Sequence, residues 1–303
     1  MKKIKADIVN MTLPKKSAFM IETEKDFPKL HTLTIMNGRR GGGKTVSLVN
    51  YLKTLKEKQY IQQVYVITPT YASNKQIWDI AGVQEEDIIE PTKMAVKQII
   101  NMGQGLVDEY NEYLEKKRIY KKYKNEKRHI FDIPDREMLE YYESDIMDYT
   151  EEPKWKFKLD VPPRIAFVLD DCLNSDAMRL PSAGLVNLCI RHRHLYDGLG
   201  ISIFMLVQSY CALGGVPRAI RENTTNLFLF KISDENQKKK IKQECDLEIT
   251  DDEFEDLLSE AHKEKYNFLL IDFTADCPTK QFRSGFNNYL VLKSKENLCT
   301  CKK

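Results

Sequence analysis

The chain has 303 residues, enough to bury a full core in one large domain or two small ones. Its 47 basic and 45 acidic residues cancel to a net charge of +2, so overall charge gives no signal for nucleic acid and only local clusters can. Seven scattered cysteines without a C-x-x-C pair argue against a disulfide framework or a zinc site. With no apolar leader and no run of membrane-spanning length, the expectation is a soluble, intracellular protein without a membrane anchor.

Residues 1–30 are mixed and charged, with one apolar piece at Ala18–Ile21, and are expected to form an N-terminal arm or edge strand. Residues 31–303 then make one domain. It opens with an apolar run (Leu33, Ile35, Met36), a glycine-rich turn, and a segment with helical spacing at Val46, Leu48, Val49, Leu52 and Leu55. Gln63–Thr70 reads as a strand ended by a turn, Ser73–Ile80 as a short helix, and Ile88–Pro91 as a short strand. From about residue 92 to 155 apolar positions thin out. There the basic, tyrosine-bearing stretch Lys116–Arg128 precedes an acidic one, Asp135–Glu152, so this segment is expected to be a helical charged insertion projecting from the core. The core resumes at Arg164–Asp171, followed by a helix at Ala183–Leu195 and a strand at Gly200–Gln208. A strand at Asn226–Lys231, helices at Asp234–Cys245 and Asp251–His262, a strand at Asn267–Phe273 and an edge strand at Tyr289–Leu292 complete the chain. Continuous apolar strands alternating with helices predict an α/β fold, a mostly parallel sheet covered on both faces.

The glycine-rich turn carries the chemistry. Gly38-Arg39-Arg40-Gly41-Gly42-Gly43-Lys44-Thr45 fits the phosphate-loop pattern G-x-x-x-x-G-K-[ST] at every fixed position. At average residue usage that pattern arises in about one chain in a hundred of this length. Glycines let backbone N–H groups converge on phosphate oxygens, and the helix that follows aims its positive end at the same anion. Residues 38 to 46, through Val46, are therefore the expected nucleotide cradle. Lys44 would neutralise the phosphates, and the Thr45 hydroxyl would ligate Mg²⁺.

Ile165–Asp171 is five apolar residues followed by two aspartates. A carboxylate at the carboxyl end of a buried parallel strand faces the crevice where α/β folds bind ligands. Asp170 is expected to hold Mg²⁺ and Asp171 to orient or deprotonate the attacking water. Gln208 ends the apolar run Ile201–Val207, and would lie beside Asp170 if the two strands are neighbours. Arg191 and Arg193, in Arg191-His192-Arg193-His194, are candidates for an arginine supplied to the neighbouring subunit's nucleotide. The histidines between them have no acidic or cysteine partner nearby and are expected to be exposed. A GTPase would need Asn-Lys-x-Asp, and the nearest string, Asn74-Lys75-Gln76-Ile77, lacks the aspartate. A nucleotide kinase would need an arginine-rich lid after the core, which is not seen. A non-motor nucleotide-binding switch would be expected to lack Asp171 or Gln208.

In order, GRRGGGKT, IAFVLDD, RHRH, ISIFMLVQSY and VPRAIRENTTNLFLFK resemble the poxvirus-type DNA-packaging ATPases of large double-stranded DNA viruses and virophages, within the FtsK–HerA superfamily. The resemblance covers residues Leu33 to Lys231 without the charged insertion. It departs at the carboxylate pair, which is commonly Asp-Glu and is here Asp170-Asp171. What it implies is a RecA/FtsK–HerA-like P-loop NTPase that binds ATP and Mg²⁺, forms a homo-oligomeric ring and moves double-stranded DNA into a capsid. The implied partners and setting are a portal or vertex protein, the host cytoplasm or viral factory, and transiently the capsid vertex. A helicase is the near alternative.

Overall fold

The structure, a computed structural model, describes residues 21, 23–146, 149, 151–172, 175–179, 181, 184–211, 215–245 and 247–298. Most of the expected N-terminal arm lies outside these residues, as do Cys299, Cys301 and parts of the acidic stretch; the portion of the arm that is described, up to Leu30, contains no strand.

Among the described residues, nine strands form one sheet: β1 Leu33–Asn37, β2 Gln63–Ile67, β3 Ile88–Ile89, β4 Ile165–Asp170, β5 Ile201–Val207, β6 Asn226–Leu229, β7 Leu269–Asp272, β8 Phe282–Ser284 and β9 Asn288–Tyr289. Their spatial order is β3-β2-β4-β5-β1-β6-β7-β8-β9. The six strands from β3 to β6 are parallel, and β7, β8 and β9 add an antiparallel margin. The helices are α1 Lys44–Glu57, α2 Tyr71–Ile80, α3 Ala95–Lys124, α4 Asp135–Glu143, α5 Asp176–Arg179, α6 Leu185–Arg191, α7 Leu195–Gly198, α8 Arg218–Arg221, α9 Glu235–Glu244 and α10 Asp251–Ala261.

Side chains alternate across each strand, so a fully apolar strand feeds two cores. In β4, Ile165, Phe167 and Leu169 join the core shared with α3, α6, α9 and α10, while Ala166 and Val168 join the one under α1 and α2. Helices therefore cover both faces of a mostly parallel sheet, as the sequence predicts.

The segment 92–155 divides rather than projecting whole. Ala95, Val96, Ile99, Leu106 and Val107 of α3 are buried in the sheet's core, so the first half of this 30-residue helix is a covering helix of the domain. Only its second half leaves the core, pairing with α4 around Ile119, Tyr141 and Ile146. The basic stretch meets the acidic one there: Lys122 binds Glu140 at 2.9 Å, and Arg118 and Arg128 bind Glu140 and Glu137 at 2.6 Å each.

The sequence pattern also missed β8, while the expected last strand shrinks to the two residues of β9. Short, half-polar edge strands leave little periodicity to read. Cys172, Cys189, Cys211 and Cys245 are free thiols. Cys277 is in a disulfide, against the expectation of none. Among the described residues, no helix is long and apolar enough to cross a membrane.

Candidate active site

Parallel strands all end at one edge, and the chemistry collects there. β1 runs into the phosphate loop, with β5 hydrogen-bonded beside it and β4 beyond β5. The condition set for Gln208 is met: β4 and β5 are neighbours, with Asp170 opposite Leu206. Asp170, Asp171, Gln208 and the loop line a single cavity of ≈ 620 Å³.

The loop is built for close backbone approach. Gly43 caps α1 at φ 93°, a left-handed conformation that costs glycine nothing and other residues strain. No side chain caps α1 and its first turn holds no acid, so its first N–H groups and its positive end are left to an anion. Gly38 is needed for a different reason: a Cβ there would lie 2.5 Å from Cβ of Phe230, against the strand neighbouring β1. Lys44 Nζ folds back onto the loop, donating to the carbonyls of Gly38 at 2.7 Å and Arg39 at 3.0 Å. Burial lowers its pKa, and the facing Asp170 and Asp171 offset part of that effect.

Asp170 is buried, and desolvation, reinforced by repulsion from Asp171, pushes its carboxyl up to about 6; Lys44 and a hydrogen bond from Thr45 act the other way. A desolvated carboxylate joined to a threonine hydroxyl is an oxygen-only donor pair, suited to a hard cation that takes its remaining ligands from phosphate and water. The residues therefore fit Mg²⁺. No cluster of three or more His, Cys, Asp or Glu that could hold a metal by itself occurs among the described residues. Asp171 stands at φ 52° just past the strand, and Gln208 Nε2 donates to its Oδ1 at 2.7 Å. The amide therefore fixes a carboxylate oxygen of Asp171.

The remaining candidates separate. Arg40, Val46 and Thr45 line the cavity, whereas Arg39 turns away to hydrogen-bond Ser233. Arg191 and Arg193 are exposed but not at this edge. A helix that links the carboxyl end of β4 to the start of a parallel neighbour must travel back along the sheet, so α6 delivers both arginines to the amino edge. The seven residues of β5 separate them from the phosphate loop, about 20 Å at ~3.3 Å per residue. The histidines divide as well: His192 is fully buried and only His194 is exposed, correcting the expectation for the pair.

Sequence reasoning missed two walls of the cavity. Thr70, Ser73, Asn74 and Ile77 bring the start of α2 to the side where Asp170 and Asp171 lie. There Asn74 Nδ2 donates to Thr70 Oγ1 at 3.2 Å. These residues follow a parallel strand, β2, so the rule that located Asp170 applied to them too. Tyr266 closes the other side, from a turn before β7 whose approach no local pattern announces.

No protein-family model matches the chain, and no curated protein does. Solved structures do. The genome packaging NTPase B204 from Sulfolobus turreted icosahedral virus 2, in complex with sulfate, aligns with 80% of this chain and 92% of its own, at 9% identity and a TM-score of 0.43. EssC (ATPases 2 and 3) from Geobacillus thermodenitrificans aligns with 70% of this chain and 34% of its own, at 11% identity and a TM-score of 0.40. The pCW3 conjugation coupling protein TcpA with ATPγS aligns with 82% of this chain and 59% of its own, at 17% identity and a TM-score of 0.39. This chain thus spans about a third of the EssC chain's length.

Proposed function

We propose that this chain is an ATPase that hydrolyses MgATP to drive double-stranded DNA into a viral capsid, working as a homo-oligomeric ring with a portal or vertex protein. The observation that carries the hydrolase half is the convergence of an uncapped phosphate-loop helix, Lys44, the Thr45–Asp170 donor pair and the Gln208–Asp171 pair on one cavity. The motor half rests on the order of the motifs along the chain.

In this reading the backbone N–H groups of residues 41–45 and the Lys44 ammonium hold the β- and γ-phosphates. Thr45 and Asp170 hold Mg²⁺, whose charge offsets that developing on the transferred phosphoryl group. Asp171, kept in place by Gln208, orients the attacking water and takes its proton. Arg191 and Arg193 belong to the ring: from the amino edge they would act only on a neighbouring subunit's nucleotide.

The test is steady-state hydrolysis by the purified chain with and without double-stranded DNA, alongside its oligomeric state with a non-hydrolysable ATP analogue. The expectation is Mg²⁺-dependent turnover that rises with DNA, and a ring in the analogue. Lys44→Ala should lower turnover by about a hundredfold or more. Wild-type turnover in that variant would sink the hydrolase assignment, and hydrolysis indifferent to DNA would remove the motor. Strand displacement in a parallel assay would favour a helicase.

A further inference from the structure

The flanks of the phosphate loop differ, and the difference orients the nucleotide. On the β5 and β4 side stand Asp170, Asp171 and Gln208, the groups suited to the reacting phosphate. A nucleotide whose terminal phosphate points that way must send its nucleoside toward β6 and β7. On that side a second cavity, of ≈ 440 Å³, adjoins the loop and is lined by Arg39, Phe230, His262 and the turn before β7. Arg40 and Tyr266 are the side chains that line both cavities, and Tyr266 is the aromatic one.

Three features make Tyr266 unlike a residue that only closes a turn. Its side chain is held against the loop, since a Cβ placed on Gly43 would come within 3.0 Å of Tyr266 Cβ. It is 55% exposed although it adjoins two concave surfaces. Its backbone lies at φ 68°, a conformation in which an aromatic residue is strained and which recurs at ligand clamps. Lys265 Nζ lies over the ring, 4.7 Å from its centroid, so the ring already serves as a surface for a stacked cation.

We propose that Tyr266 is the stacking platform for the nucleotide base, setting nucleoside affinity while the phosphate loop holds the triphosphate. The inference rests on the nucleotide-hydrolase reading above and adds a named residue for the base. Stacking uses a π-face that every base has, so Tyr266 selects for a base without choosing strongly among bases.

The test is calorimetric binding of two probes with Mg²⁺, ATP and inorganic tripolyphosphate, which has the phosphates but no base. Tyr266→Asn is the main variant, because asparagine tolerates the left-handed backbone and removes only the ring; Tyr266→Trp restores a π-surface. In Tyr266→Asn, ATP should bind about tenfold more weakly, the low end of base–aromatic stacking, with tripolyphosphate unchanged. Tyr266→Trp should bind ATP like the wild type. Equal weakening of both probes, or ATP binding unaffected by Tyr266→Asn, would overturn the platform. If the wild-type chain binds neither probe, the hydrolase reading has failed and takes the platform with it, an outcome distinct from either of the others.

Discussion

Asp171 is the residue on which turnover should depend most steeply, because its neighbours already assign the other tasks. Lys44 and the loop answer the phosphates, and Thr45 touches Asp170 rather than Asp171. Asp171→Asn keeps the oxygen that accepts from Gln208 Nε2 but removes the charge that would take a proton. It should bind MgATP like the wild type and lose about 10²–10⁴ in turnover, the range of a general base. Asp170→Asn should instead lose the Mg²⁺-dependent part of nucleotide affinity, and Gln208→Ala should lower turnover less than Asp171→Asn without changing affinity. Nucleotide binding with and without Mg²⁺, set beside single-turnover hydrolysis, separates the three variants. If both aspartate variants bind and turn over normally, the end of β4 is only structural.

At the level of elements, what the sequence disclosed follows from burial. The strands β1, β2, β4 and β5 are buried along nearly their whole length, and each appears in the chain as a predominantly apolar run. The first half of α3 was hidden because Ala95, Val96, Ile99, Leu106 and Val107 are interleaved with polar residues of an outer face, which reads as a uniformly charged segment. The carboxyl-edge chemistry was legible because parallel strands end together; Tyr266 was not, since only the folded chain brings its turn to the loop. The α3–α4 hairpin shows the same limit in its charges. A basic stretch with interleaved tyrosines, such as Lys116–Arg128, can track nucleic acid or pair in cis, and its composition alone does not decide between them. Lys117, Arg118, Lys121, Lys122 and Arg128 all have carboxylate partners within the chain. Lys124 lies over the rings of Tyr120 and Tyr123. The hairpin is therefore expected to be a self-neutralised arm. Neutralising Lys116, Lys124 and Lys127 together should change the salt slope of DNA binding by less than one, whereas three lost phosphate contacts would change it by about three. A change near three would make the hairpin a DNA contact.

Across the whole molecule the two edges of the sheet carry opposite chemistry. The carboxyl edge gathers Asp170 and Asp171, and the amino edge gathers His31, Arg164, His192, Arg193 and His194, near enough to perturb one another's charge. Burial, with repulsion from His192 and Arg164, lowers the pKa of His31 to about 4, and its Nε2 is sealed from solvent without a hydrogen-bond partner. Burial likewise lowers the pKa of His192, whose Nδ1 lies 2.7 Å from the carbonyl of Cys189. Both rings are neutral in the folded chain at pH values where the unfolded chain would bind protons. Their contribution to stability should then be flat above the unfolded value of about 6.5 and fall as pH drops toward 4, His31 alone costing about 2 kcal/mol by pH 5. Asp170, raised to about 6 by burial, takes up its proton in the same range and stabilises the fold as pH falls, which opposes the histidines; paired surface carboxylates act in a lower window. Glu126, held down to about 2 chiefly by Arg128, contributes stability that is lost only as pH falls below the ordinary carboxylate range. Between pH 6.5 and 5 the histidines are therefore read once Asp170 is made non-titrating. In an Asp170→Asn background, urea midpoints at pH 7.5, 6 and 5 should step downward, and the step should shrink when His31→Gln is added, since residue 31 then cannot titrate in that window. Equal midpoints at pH 7.5 and 5 in Asp170→Asn would mean that the amino edge opens to admit the proton, and that its histidines are not sealed by the packing of β1 against β5.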